Sequence, residues 1–359
     1  MKKKWIVIPS LLVLFVGGVL ATTPVGRELW ERFNPPPKVA VDRAMRAEAI
    51  DSLVARLNDH YVFPDKARQV EAVLRQRQRE GKYDAITDGE QLARQLKADV
   101  DGIVHDKHLD IGFDPGQVPP DDAMGPPPRT LAEWEQKAPL PVRVFRHFSR
   151  LGVEEVDRLE SNIGYLRISG FPPHFLMAEP YAAAMDKLAG TDGLIVDLRE
   201  NGGGGPETVA LLISYFVDQR TRLNDLWQRS SGTTTQHWTQ DKLDGKRYGG
   251  KKPVVILAGP GTMSAGEDFA YTMQALKRAT VIGERTWGGA HPARPYRLGE
   301  HFYAVIPDAR SISPITQANW EGVGVVPDIA AKPDNALAAA KELLQRRLRG
   351  AVPLAAAGN

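Results

Sequence analysis

The chain reads as an α/β protein preceded by a small helical domain, and three observations predict this. From Asn162 onward short apolar runs alternate with amphipathic ones, the pattern of successive βα units and a mostly parallel sheet. From Val41 to Val104 the apolar positions recur at helical spacing alone. Between the two lies a proline-rich stretch from Pro115 to Pro128, in which Pro119-Pro120 and Pro126-Pro127-Pro128 exclude helix and sheet and predict an extended surface loop.

Element by element, the helical part predicts helices over Arg43–His60, Asp65–Glu80 and Asp88–Val104, with Asp65 and Asp88 as N-caps; Asp88-Gly-Glu-Gln91 has capping-box spacing. The second part predicts strand Ile163–Ile168, helix Phe175–Leu188, strand Leu194–Leu198, helix Pro206–Val217, strand Val254–Leu257, helix Ala265–Leu276 and strand Thr280–Ile282. Gln228–Asp241 has no helical period and reads as a loop or hairpin insertion. The expected domains are 39–112 (helical), 113–160 (connection) and 161–348 (α/β core). No internal repeat is visible.

The first residues carry a separate message. Lys2-Lys3-Lys4 precede an apolar run from Trp5 to Leu20, and Val19-Leu20-Ala21 has the small-residue spacing of a cleavage site. Residues 1–21 read as an export signal, placing the protein in the periplasm or outside the cell; the alternative is an uncleaved membrane anchor. A run of about 16 residues is short for a span. Absence of cysteine is compatible with export. The formal charge of the whole chain is +2, and removing the leader takes three lysines and no acid, leaving a nearly neutral chain with no electrostatic case for nucleic acid. With 42% hydrophobic and 25% charged residues over 359 positions the composition is that of an ordinary globular protein.

Two segments carry chemistry. Val254-Val-Ile-Leu-Ala-Gly-Pro-Gly-Thr-Met-Ser264-Ala-Gly-Glu267 runs from a buried strand through a glycine turn to a serine at a helix start, where unpaired N–H groups and the dipole favour an oxyanion. Serine is also a common N-cap, and Glu267 completes a capping box, so the segment alone leaves nucleophile and cap both open. Gly193-Leu-Ile-Val-Asp-Leu-Arg-Glu-Asn-Gly-Gly-Gly-Gly205 ends a strand in four glycines, whose amides can approach a ligand and supply half of an oxyanion hole with the amide of Ala265. No Lys-Ser/Thr follows the glycines, so the phosphate-loop reading is weak.

Together Asp197–Gly205, Met263–Glu267, Val281-Ile-Gly-Glu-Arg-Thr-Trp-Gly-Gly289 and Glu321-Gly-Val-Gly-Val-Val-Pro-Asp328 resemble the C-terminal processing (tail-specific) serine peptidase family. In the helical part, Asn58-Asp-His-Tyr-Val-Phe-Pro64 and Val104-His-Asp-Lys-His-Leu109 resemble the branch containing interphotoreceptor retinoid-binding protein. The resemblance implies a crotonase-like (ClpP-like) α/β core, serine hydrolysis without metal or cofactor, and peptide or unfolded protein as substrate. In the processing peptidases the base is a lysine 25 residues after the serine, and this chain has Gly289 there. Lys277 and Arg285 are not natural substitutes. The tricorn-like members instead take a histidine from the N-terminal part and a glutamate from the C-terminal motif, and His108 and Glu321 match those positions. This implies a Ser264–His108–Glu321 triad with Gly203, or a neighbour in the run, and Ala265 at the oxyanion. Tricorn has a serine before its histidine, and Lys107 stands there in this chain.

His291, two residues past the missing lysine's place, is the alternative base, with His105 and His174 behind it. His174, in Phe171-Pro-Pro-His-Phe175, lies on the loop after the first core strand and reads as a solvated loop histidine, with lining of the substrate groove as the alternative. Trp227, Trp238 and Trp287 are candidates for an apolar groove or for core. Thr262 stands where an α/β-hydrolase elbow needs glycine, and Glu267 where a β-lactamase needs lysine. His105 and His108 at i, i+3 make at best a weak metal site, and no His-Glu-x-x-His occurs. The interval Phe113–Asn162 is too short for a PDZ domain, which argues against tail capture by strand addition. The competing class is a retinoid- or lipid-like ligand-binding module on the same scaffold, and a third reading is a silent scaffold. Membrane contact is expected only through an uncleaved residues 5–20 segment.

Overall fold

The computed structural model describes residues 38–121, 128–138 and 152–350. The segment read as an export signal, together with Pro126 and Pro127, lies outside the described residues. Among those described, no helix is long and apolar enough to cross a membrane.

Three helices open the chain. Helix α1 (Arg43–His60) starts where the Asp42 carboxylate accepts from Met45 N at 2.8 Å, and its Ala49, Ile50, Leu53, Val54 and Leu57 form one buried stripe. Helix α2 (Pro64–Arg79) is started by the fixed φ of Pro64, with Phe63 at the cap position, so the expected cap Asp65 sits inside the first turn. Helix α3 (Gly89–Asp101) is capped as expected, Asp88 accepting from Gln91 N at 2.7 Å, and ends three residues early, where Gly102 begins a turn. That turn leads through Lys107 and His108 into strand β1 (Asp110–Phe113).

The helical lobe does not close on itself. Strand β1 pairs antiparallel with β10 (Phe302–Pro307), which pairs with β9 (Ala293–Arg297). Leu298, Phe302, Ala304 and Ile306 complete the core built by Leu53, Leu57, Leu74, Leu92 and Leu96. The hydrophobic cores therefore do not divide at the linear boundary expected near residue 113: a C-terminal hairpin belongs with the helices.

The α/β part is a six-stranded sheet of order β12-β8-β7-β4-β3-β2. Its strands are β2 (Val153–Leu159), β3 (Ile163–Ile168), β4 (Gly193–Asp197), β7 (Val254–Ala258), β8 (Thr280–Gly283) and β12 (Ile329–Ala330). All neighbours are parallel except β2, which runs antiparallel to β3 at the edge. Strand β2 and the short helix α4 (Leu131–Lys137) both fall in the stretch expected to be connection. Charged Glu154, Glu155, Asp157 and Arg158 hide the strand pattern, as is usual for an edge.

Helices α5 (His174–Leu188), α6 (Pro206–Ile213) and α7 (Ala265–Ala275) join Leu166, Val196 and Ile256 in one core, and α8 (Pro333–Leu348) covers the other face with Ala336, Ala340, Leu343 and Leu344. The insertion is a hairpin of β5 (Arg222–Gln228) and β6 (Thr233–Trp238), with β11 (Ala309–Ile312) added to β5. Ligand sites of such sheets lie beyond the carboxyl ends of the strands. There the loops after β4, β7 and β8 meet the turn that carries His108.

Candidate active site

Ser264 sits at the N-terminus of α7 with φ 51° and ψ −115°. This is a region that a non-glycine residue adopts only when its surroundings impose it. The surroundings do so from both sides. Thr262 donates its hydroxyl to Leu198 O at 2.7 Å and accepts from Gly259 N, and Met263 N donates to Asn201 O at 2.8 Å. Asn201, fully buried, donates to Ile168 O at 2.9 Å, so the loops after β3, β4 and β7 are tied together at the serine.

Glu267 does more than the capping box required. Its carboxylate accepts from Ser264 N at 2.9 Å, Gly289 N at 2.9 Å, Gly288 N at 2.6 Å and the Thr286 hydroxyl at 2.5 Å. The residue has no exposed surface, and burial pushes its carboxyl up from the ordinary range while these four donors hold it down. The nucleophile turn and the loop after β8 thus share one buried acceptor.

The glycine loop lies against the serine: a Cβ on Gly203 would approach Ser264 Cβ to 2.8 Å. Gly203, expected at the oxyanion hole, spends its N–H on Asn201 Oδ1 at 3.0 Å, while Gly202 N donates to Ser169 O and Gly205 N to Phe171 O. Gly204 is the remaining amide, for which no acceptor occurs among the described residues. Its φ of 141° and a would-be Cβ 2.0 Å from Phe171 O admit only glycine. Gly204, Ser264 and Ala265 line one cavity with Asn224, His237, Gly289 and Trp320. Of the four glycine amides, the one left to face this cavity beside Ala265 is thus that of Gly204 and not of Gly203.

His108 arrives from the helical lobe. Its ring lies edge-on to Trp287 at 5.0 Å, and a Cβ on Gly289 would stand 2.7 Å from His108 Cε1. Gly289 also lines the cavity at Ser264. The position that holds lysine in the processing peptidases is thus the space the imidazole uses. Burial lowers the His108 pKa, Asp106 opposing and His291 reinforcing, so the ring is a free base at neutral pH. His108 Nδ1 is buried and has no hydrogen-bond partner among the described residues.

Glu321 does not hold that nitrogen. Its carboxylate accepts from Lys107 N at 3.2 Å and Ala290 N at 2.5 Å, so it fixes His108 through the backbone of the preceding residue and staples the helical lobe to the loop after β8. Burial raises its pKa, with the charge of Asp106 adding to the effect. His291, the alternative base, is 3% exposed; its Nδ1 lies 2.6 Å from Asp106 Oδ2 and 3.5 Å from Glu321 Oε2, and its ring packs on Phe63. That nitrogen is committed to carboxylates. Asp106, His108 and Glu321 bring one ligand atom each within 4.8 Å, the one cluster of metal-ligating groups among the described residues, and its carboxylates are already engaged by N–H donors.

His174 opens α5 and lines a groove of about 760 Å³ with Phe171, Pro172, Pro173, Phe175 and the glycine loop. His105 is exposed, away from these contacts. Of the three tryptophans, Trp287 touches the site, while Trp227 and Trp238 stack on Arg310 and Arg220. Sequence reasoning missed Asp106, Tyr61, Asn201 and Trp320. The first two sit inside the quoted Val104–Leu109 and Asn58–Pro64 motifs: Tyr61 OH lies 3.5 Å from Asp106 Oδ2.

The fold is α/β, with a strained serine at a strand–turn–helix junction beside the Gly204 and Ala265 backbone, and with His108 brought from the helical lobe to the neighbouring Gly289. The chain matches the model of peptidase family S41 over residues 162–331 and that of the N-terminal domain of Peptidase_S41 in eukaryotic IRBP over residues 39–139. It belongs to peptidase family S41. It is 31% identical to a carboxyl-terminal-processing protease of Synechocystis sp. over 35% of this chain and 28% of that protein. It is 27% identical to the tricorn protease of Thermoplasma volcanium over 48% of this chain and 15% of that protein. The chain thus covers well under two thirds of these relatives. A solved putative peptidase from Parabacteroides merdae shares the fold, with a TM-score of 0.60 at 18% identity over 86% of this chain and 99% of that one.

Proposed function

We propose that the chain is an exported serine peptidase in which Ser264 attacks a peptide carbonyl, His108 takes and returns the proton, and the amides of Gly204 and Ala265 hold the oxyanion. The observation that supports this reading is that Gly289, which lines the cavity at Ser264, has no side chain where the His108 ring stands. With Nδ1 buried, Nε2 is the nitrogen that accepts the Ser264 proton. The expelled amine takes that proton from His108, leaving an acyl-serine; a water molecule, deprotonated by the same ring, then releases the acid product. Glu321 holds the imidazole's turn from below. The groove at His174 and the glycine loop suits an extended peptide or an unfolded protein segment. Processing and tail-specific names among the relatives support this substrate class, and the basic leader with its apolar run supports export.

Intact-mass analysis after fluorophosphonate treatment tests the reading on wild type, Ser264→Ala and His108→Ala. One adduct on wild type and none on either variant is expected. A folded wild type that takes no adduct overturns it and favours the ligand-binding scaffold.

A further inference from the structure

We infer that His291, paired with Asp106, is a positioning residue that keeps Glu321 a carboxylate beside His108. The inference rests on the peptidase reading only for its consequence in catalysis.

Asp106 comes from the helical lobe and Glu321 from the C-terminal motif, and their carboxylate oxygens approach within 4.8 Å. Like charges that close in a partly dry site raise each other's proton affinity. The Glu321 carboxyl shows this, held up by burial and then by Asp106. The group that faces both is His291 Nδ1, at 2.6 Å from Asp106 and 3.5 Å from Glu321. A nitrogen that close to a carboxylate oxygen carries the hydrogen, so an N–H dipole stands between the two acids. The remaining groups facing the pair are the His108 imidazole, with a ring nitrogen within 4.8 Å of both acids, the Tyr61 hydroxyl on Asp106, the His108 backbone N–H on Asp106 Oδ1 and the Lys107 and Ala290 backbone N–H groups on Glu321, while the Lys107 side chain is exposed. Phe63 packs edge-on against the His291 ring and, with its burial, holds it in place.

A protonated Glu321 would accept less strongly from Lys107 N and loosen the turn that presents His108. His291 therefore serves the base at one remove, and a structural wedge of the same shape would not do so.

The test is the carboxyl titration of Glu321, followed by ¹³C NMR in the Ser264→Ala protein, where no catalysis is needed. His291→Gln should raise the Glu321 midpoint by about one pH unit, a tenfold gain in proton affinity. Asp106→Asn should lower it, and the double variant should return towards the parent. An unmoved midpoint in His291→Gln, or a further rise in the double variant, overturns the inference. If His291→Gln does not fold, Asp106→Asn alone decides by the sign of its shift. NMR shifts as expected in a protein that never labels would remove the peptidase reading and leave this one standing.

Discussion

The serine half of the site and the histidine half are built in opposite ways. Ser264 is held by neighbours that follow one another along the α/β core: Asn201 and Thr262 sit on the loops after the adjacent parallel strands β4 and β7, and Glu267 lies in the first turn of α7. His108 is held by residues far apart in sequence, with Lys107 N reaching Glu321 and His291 reaching Asp106 across the join of two lobes. In the proposed reading the nucleophile and its oxyanion donors are thus preorganised by local geometry, whereas the base depends on docking. This predicts that damage to the two halves should differ in kind.

The largest effects should be shared. Ser264→Ala and His108→Ala should each lower peptide hydrolysis on the order of 10⁴-fold, and the double variant should lose little more, because one step needs both groups. Additive losses in steady-state rates would separate the halves.

Gly289→Ala comes next. A Cβ there meets Trp287 at 2.3 Å and His108 at 2.7 Å, so the ring must shift; misplacement of about 1 Å costs roughly 10²-fold in kcat. Thermal unfolding should change far less than kcat if the clash falls on the docked turn.

Glu267→Gln should reverse that order. Four donors lose an ionic acceptor in a fully buried place, costing about 2–4 kcal/mol of stability in denaturant unfolding.

The smallest effect is in pH. Burial lowers the His108 pKa, so its imidazolium forms only below the ordinary histidine value and the acid limb of kcat/KM should lie under pH ~6.5. A His108 limb above that value would mean the ring is more solvated than its surroundings imply.

The same contrast governs what the sequence could tell. The strands and helices were legible because local period and capping decide them, as at Asp88 and the Ile163–Ile168 run, and so was the strand–turn–helix setting of Ser264, whose role as nucleophile was implied only by the family resemblance. Strand β2 was not, since its edge position lets charges break the alternation. Gly203 was taken for an oxyanion donor because four glycines look alike until Asn201 Oδ1 claims one amide. Nothing local marked Asp106, whose meaning comes only from His291 and Glu321 arriving from the far end of the chain.

The central claim is that a histidine from the helical lobe serves a serine of the α/β core. Its most direct test is the second-order rate of fluorophosphonate labelling at Ser264 in wild type and His108→Ala, with and without added imidazole. The account predicts a labelling rate lowered by several orders of magnitude in the variant and partly restored by free imidazole filling the vacated space. Labelling of His108→Ala at the wild-type rate would contradict it.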